Sequence, residues 1–226
     1  MMFLSHILDE QTPLYGGKGN YSLDRINSID SGDTSNNTQV TFPAHTGTHI
    51  DAPYHFEASG NSIDQYSAEF WLCENIFVID YNVEKEEIIT LEKLMPFIIE
   101  MPVSVECLII KTGFEDYRNK NSKKYIFHGP GIGPEIGVWL RNNRKLKMIG
   151  FDFISLSSYA NRELGREAHR AFLSKSFSGL NKDCSKPILI IEDMHLTSLK
   201  ECPSKIIVSP LRYDRSDGSP VTIISE

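Results

Sequence analysis

The sequence predicts an α/β fold, one domain built on a mixed β-sheet with helices packed against it. Three observations lead there. Apolar, β-branched runs recur along the chain, at 75–81 (NIFVIDY), 107–111 (CLIIK), 147–156 (KMIGFDFISL) and 187–191 (PILII). Helical periodicity lies between them, but without the strict alternation of a doubly wound sheet. No internal repeat or Pro-rich linker divides the 226 residues, and a 40% hydrophobic content is enough for one sizeable core. The domain is therefore read as 1–226, with residues 1–40 as an irregular N-terminal arm or lid.

Taken in order, that arm is polar, with turn signals at Tyr15-Gly16-Gly17 and Ser31-Gly32-Asp33 and one short strand expected within Phe3–Leu8. Gln39–Phe42 leads into the motif described below, and the strand at 75–81 follows. Thr90 is the N-cap of a helix to Glu100, with Pro96 one turn in. The strand at 107–111 ends at Gly113. His128-Gly129-Pro130-Gly131 is a loop with His128 at the surface, and Pro134 opens a helix running to Asn143. The strand at 147–156 precedes a helix over Arg162–Lys175 with Leu164, Ala168, Ala171 and Phe172 on one face. Residues 176–186 form a polar loop, and PILII runs into Glu192. Strands at Lys205–Val208 and Val221–Ile224 flank a turn at Asp217-Gly218-Ser219-Pro220.

Composition excludes several classes. The formal charge of −7 and the absence of a basic block argue against nucleic acid. No apolar run approaches 18 residues, so no membrane span is expected, and MMFLSHILDE lacks the basic n-region of a signal peptide. Cys73, Cys107, Cys184 and Cys202 are widely spaced with no C-x-x-C pair, which disfavours a cysteine zinc site. Cys107 reads as a core residue, and a cytoplasmic location is expected.

The chemistry is densest at His45–His55, HTGTHIDAPYH. Gly47, Pro53 and the β-branched Thr46, Thr48 and Ile50 argue against a helix. Read as a strand, His45, Gly47, His49, Asp51, Pro53 and His55 share one face. A straight strand would hold His45 and His49 roughly 13 Å apart, too far for one metal ion. A bend at Gly47 resolves this, and Pro53 sets a turn that returns His55 over the site. His45, His49 and Asp51 are accordingly expected to bind a divalent metal, Zn²⁺ or Mn²⁺. A metal that acidifies water and polarises a carbonyl suits a hydrolase, with His55 carrying a proton.

HTGTHIDAPYHF resembles the H-x-G-T-H-x-D-x-P-x-H signature of the metal-dependent cyclase-like hydrolases, which include bacterial kynurenine formamidases and isatin hydrolases. Lys111-Thr112-Gly113, Gly150-Phe151-Asp152, His169-Arg170, Ile191-Glu192 with Leu196, and Asp217-Gly218-Ser219-Pro220-Val221 resemble further family segments, over most of residues 40–226. The resemblance implies a compact α/β domain of the swivelling β/β/α type with a barrel-like sheet, usually a homo-oligomer, a dimer or tetramer. It implies His45, His49 and Asp51 on one metal, Asp51 bridging to a second held by His169 and Glu192, and His55 as catalytic acid/base. By themselves, His169 reads equally well as a helix-boundary residue. Glu192 could instead meet Arg162, Arg166 or Arg170, and Asp193 and His195 are rival ligands. The 23-residue interval from His169 to Glu192 makes 176–186 look like an insertion. The family's P-G-x-P-x-W segment is missing near the N-terminus, leaving Tyr15, Tyr21, Phe42 or Phe56 to line a pocket.

The function this implies is hydrolysis of a C–N bond in a small formamide or cyclic amide. A cyclase or dehydratase using the same metal as a Lewis acid, or a metal-binding protein without catalysis, are the alternatives.

Overall fold

The computed structural model describes residues 1–181 and 185–226. Cys184 and the middle of the expected 176–186 insertion lie outside the described residues. The chain opens with β1 (Met2–Phe3), followed by the hairpin β2 (Ser22–Asn27) and β3 (Asn37–Thr41). The expectation of an irregular arm is thus corrected over Ser22–Thr41. Both hairpin strands are largely exposed, so no buried face imposes a period-two pattern on their sequence.

The motif forms β4 (His49–Asp51), and β5 (Leu72–Cys73) and β6 (Ile76–Asp80) follow. β7 (Ile88–Ile89) leads into α1 (Leu91–Ile98), whose first turn is capped by the Thr90 hydroxyl accepting from the Lys93 N–H. β8 (Cys107–Lys111) matches the expected strand. Two helices of five and six residues, α2 (Asp116–Lys120) and α3 (Ser122–Phe127), were not foreseen, because one turn is too short to display a helical period. Next come β9 (Gly131–Ile132), α4 (Pro134–Asn143), β10 (Met148–Phe151), α5 (Arg162–Leu173), β11 (Leu189–Glu192), β12 (Ile206–Pro210) and β13 (Gly218–Ser225).

Two expected boundaries move. β10 stops at Phe151 because the Asp152 carboxylate turns to accept from the Thr112 and Gly113 N–H groups and the Thr112 hydroxyl, tying the ends of β8 and β10 together. Gly218–Pro220 is not a turn. The reversal falls at Asp214–Arg215, where Arg215 has φ +52°, and β13 already pairs with β4 at Gly218.

The main sheet runs β5-β12-β13-β4-β11-β10-β8-β6, with β1 on β13. β6, β8, β10 and β11 are parallel, while β4, β13, β12 and β5 join antiparallel. The outermost strands β5 and β6 are joined only by Glu74 and Asn75, so the two edges must lie side by side. At that link the Asn75 carbonyl accepts from the Glu106 and Cys107 N–H groups, which extends the pairing of β6 with β8. The sheet is thus curled into a nearly closed barrel, as expected. Alternating side chains divide the core. Cys107, Ile109, Met148, Leu189, Ile191 and Ile223 pack in one cluster, while Leu108, Ile110, Ile149 and Ile190 pack with residues of α1, α4 and α5 in the other. Cys107 is fully buried, and Cys73, Cys107 and Cys202 are free thiols. Among the described residues, no helix is long and apolar enough to cross a membrane.

Candidate metal centre and active site

The site is assembled on β4. Gly47 has φ +61°, the left-handed conformation that the bend required, and a Cβ there would collide with Leu8. The bend turns His45 back toward Asp51, with His45 Nδ1 2.8 Å from Asp51 Oδ1. Beyond the bend, β4 lies between β11 and β13, in a register that sets His49 opposite Glu192 and Asp51 opposite Gly218. Pro53 starts a 3-10 turn, Pro53–His55, that folds His55 over His45, with ring centroids 4.0 Å apart. α5 delivers His169 from the other side, and its approach depends on Gly165, where a Cβ would strike Ser157.

Four buried side chains converge at the centre. His49 Nε2 stands 3.5 Å from Asp51 and 3.3 Å from Glu192, and His169 Nε2 stands 3.5 Å from Asp51 and 3.4 Å from Glu192. The other nitrogen of each ring is committed: Nδ1 of His49 bonds the Gly47 carbonyl and Nδ1 of His169 the Gly165 carbonyl, both at 2.8 Å. In the neutral rings this leaves two Nε2 lone pairs facing two carboxylates. These separations are long for hydrogen bonds. They match the roughly 3.4 Å between donors that each lie about 2.1 Å from a common cation. A cluster of this polarity must hold either protons or a cation. Without a cation, burial opposes charging His169, yet the Asp51 and Glu192 carboxylates beside it raise it to about 10. Burial likewise works against an ionised Asp51, but His45, His169 and His49 keep it well below the usual carboxylate range. The donor set therefore fits a divalent metal.

His45, His49 and Asp51 form one group of potential ligands and Asp51, His169 and Glu192 a second, each with ligand atoms within 4.8 Å of one another. All five sequence-expected ligands are brought together. Asp51 is common to both groups, and His49 Nε2 lies close to Glu192 as well as to Asp51. His45 differs from the rest because both its nitrogens meet carboxylates, Nδ1 at Asp51 and Nε2 at Asp217 Oδ2, 3.0 Å away. Burial resists its charge, but Asp51 and Asp217 raise it to about 10.

His55 Nδ1 also bonds Asp217 Oδ2, at 3.1 Å. Sequence reasoning gave Asp217 no role. Its only signal was the Asp217–Val221 family segment, which read as a turn. Ser155 and Leu156 were missed too: the Ser155 hydroxyl and the Leu156 N–H both donate to Glu192 Oε1 and keep its charge solvated. The rival ligands lie elsewhere. Asp193 accepts from the Arg118 guanidinium and the Tyr125 hydroxyl, and His195 lies against His6 and Glu115. None of Arg162, Arg166 and Arg170 forms an ion pair with Glu192; its partners are the two histidines.

A cavity of about 360 Å³ opens over the centre, lined by Tyr15, Phe56, Ile154, Arg162 and Arg166 among others. Tyr15 and Phe56 thus line it as expected. Phe42 lines a different cavity beside β1, and Tyr21 lines neither. His128 is at the surface, paired with Glu86.

The family described as "Putative cyclase" matches residues 2–158. The chain belongs to the cyclase family. This cyclase-family protein is 25% identical over 221 residues to a kynurenine formamidase of Bacillus cytotoxicus, covering 98% of this chain and 94% of that one. It is 25% identical over 201 residues to cyclase-like protein 2 of Arabidopsis thaliana, covering 87% of this chain and 67% of the relative. Isatin hydrolase A from Ralstonia solanacearum shares the fold with a TM-score of 0.77 at 19% identity, over 99% of this chain and 90% of the other.

Proposed function

We propose that this protein is a metal-dependent hydrolase that cleaves the C–N bond of a small formamide or cyclic amide. The observation that carries the reading is the buried quartet of His49, Asp51, His169 and Glu192, in which two imidazole Nε2 atoms each stand within 3.5 Å of two carboxylates beneath a cavity. The kynurenine formamidase relative supports the amide class. His45, His49 and Asp51 would hold a first cation, and Asp51, His169 and Glu192 a second, with zinc or manganese suited to mixed imidazole and carboxylate donors. A divalent cation held there supplies Lewis-acid polarisation and acidifies water.

The chain's own groups do the rest. Asp217 accepts the Nδ1 proton of His55 and so leaves Nε2 of that ring as the base. His55 takes a proton from the attacking water as the new C–O bond forms, and passes it to the leaving nitrogen as the C–N bond breaks. Phe56 stacks on the His169 ring, with centroids 4.8 Å apart, and keeps that ligand's ring from rotating. The domain is read as one unit, 1–226, with residues 1–40 covering the site through Pro13 and Tyr15. Exposed Ile26, Ile29 and Val40 on the hairpin support a homo-oligomer, and the free thiols of Cys73 and Cys107 suit the cytoplasm.

The test is turnover of aryl formamides and cyclic amides before and after chelation. Activity lost on chelation and restored by Zn²⁺ or Mn²⁺ is expected, with ¹⁸O from labelled water in the product. Turnover that survives exhaustive metal removal, or product without label, overturns the reading.

A further inference from the structure

A second cluster of metal-capable groups lies outside the catalytic centre. His6, Glu115 and His195 come from three separate segments, and one ligand atom of each lies within 4.8 Å of the others. Backbone pairing puts them there. Ser5 and Met194 form an antiparallel bridge, and the His195 N–H donates to the Leu4 carbonyl at 3.0 Å, so the N-terminal segment lies alongside the chain just past β11. The two imidazoles then meet with ring centroids 4.8 Å apart. Glu115 lies just past β8, and its carboxylate accepts from the Leu196 and Thr197 N–H groups and the Thr197 hydroxyl. The rest of the cluster is unsatisfied. Nε2 of His6 and Nδ1 of His195 are both buried and have no hydrogen-bond partner among the described residues. Asp193 Oδ1 stands 3.9 Å from His6 Nε2, too far to bond, and that carboxylate is already taken by Arg118 and Tyr125. His195 Nδ1 stands 3.4 Å from Glu115 Oε1, which is long for a hydrogen bond but suits two donors on one cation. Glu115 is 6% exposed, and among the described residues its one ion-pair neighbour is His195. A buried carboxylate with no Lys or Arg paired to it calls for a cation from elsewhere.

We propose that His6, Glu115 and His195 form an additional metal site, separate from the catalytic centre, that takes a divalent transition-metal ion such as Zn²⁺. Two imidazoles and one carboxylate suit such an ion, whereas Mg²⁺ and Ca²⁺ prefer oxygen donors throughout. Three protein ligands leave the fourth tetrahedral position to water. His6 and His195 both line a second cavity, of about 1030 Å³, which gives the ion its route in and the water its place. The neighbouring Arg118 does not replace the ion, because its guanidinium is spent on Asp193 through both Nε and Nη2. The site acts as a clasp on the N-terminal segment. The His6 N–H donates to the Thr48 hydroxyl at 2.9 Å, and that hydroxyl donates to the Asp193 carbonyl. Leu8 packs where Gly47 bends, and Pro13 and Tyr15 line the catalytic cavity. An ion at His6 therefore ties down the segment that covers the catalytic motif.

The test counts metal, so it does not depend on which bond the enzyme cleaves. Metal-free protein is titrated with Zn²⁺ by calorimetry as the wild type, as His6→Gln/His195→Gln, as His49→Gln/His169→Gln, and as the variant that combines all four changes. The His6→Gln/His195→Gln protein is expected to bind one equivalent fewer than the wild type. The His49→Gln/His169→Gln protein is expected to keep one tight equivalent, which the combined variant loses. In the His49→Gln/His169→Gln protein, Zn²⁺ is also expected to slow amide exchange in residues 4–8 by at least tenfold, and to do nothing in the combined variant. Equal zinc counts in the wild type and the His6→Gln/His195→Gln protein, or saturation of the extra site only at millimolar Zn²⁺, overturn the proposal. A measurement on the wild type alone guards against variants that fail to fold. Crystals grown with Zn²⁺ are expected to show an anomalous peak between His6, Glu115 and His195. Zinc at the catalytic centre with only a water between those three side chains overturns it.

Discussion

Glu192 lies directly across the sheet from His49, in register on antiparallel neighbours, with its Oε2 3.3 Å from His49 Nε2. Backbone hydrogen bonding therefore fixes the spacing of two metal-capable groups that are 143 positions apart in sequence. Glu192→Gln keeps the shape but removes one of the two buried carboxylates. Metal content by atomic emission is expected to fall well below that of the wild type, with turnover falling at least as far, since lost ligand charge weakens cation binding. A variant with full metal content and full rate would remove Glu192 from the centre.

His55 gives a different signature. It bonds Asp217 rather than the buried quartet. His55→Ala is expected to retain metal content while kcat drops by about 10²–10⁴-fold, the usual contribution of a positioned acid/base. Loss of metal in step with loss of rate would make it a ligand instead.

Gly47→Ala tests the bend. The residue sits at φ +61°, and a Cβ would drive into Leu8. A loss of more than about 1 kcal/mol in urea unfolding is expected, as for alanine forced to positive φ. Metal affinity should fall as well, because His45 and His49 flank the bend. Wild-type stability would show that the chain can pass His45 to the site by another route.

His6 predicts a pH dependence away from the centre. Burial lowers its pKa to about 4, although Asp193 pulls the other way. The unfolded chain binds the proton near 6.5, so between pH 6.5 and 4 the unfolded state takes up more protons than the folded one. Stability is full above about 6.5 and is lost as pH falls through that window, by up to about 3 kcal/mol. Measured in chelator, the difference in unfolding free energy between wild type and His6→Gln should shrink by that amount from pH 7 to pH 4. A difference that is flat with pH would mean that His6 takes up its proton at the same pH in the folded and the unfolded chain, so that burial does not lower it.

By itself the sequence determined the motif's local geometry. Gly47, Pro53 and alternation along His45–His55 sufficed to predict a bend, a turn and one chemical face, because those constraints act within a few residues. The strands at 107–111 and 189–192 were legible too, since burial on both faces leaves a continuous apolar run, and the half-buried edge strand at 76–80 carries a similar run. The hairpin at 22–41 was not, because exposed strands carry no such imprint. Only the tertiary structure decided which distant groups meet. The β4–β11 register chose Glu192 over Asp193, whose carboxylate turned to Arg118 instead. Strand β13 brought Asp217 to both His45 and His55, and helix α5 aimed Arg162 and Arg166 into the same cavity as His169. Such choices depend on strand pairing and helix packing between segments from 75 to 172 residues apart, where no local pattern in the chain records the partner.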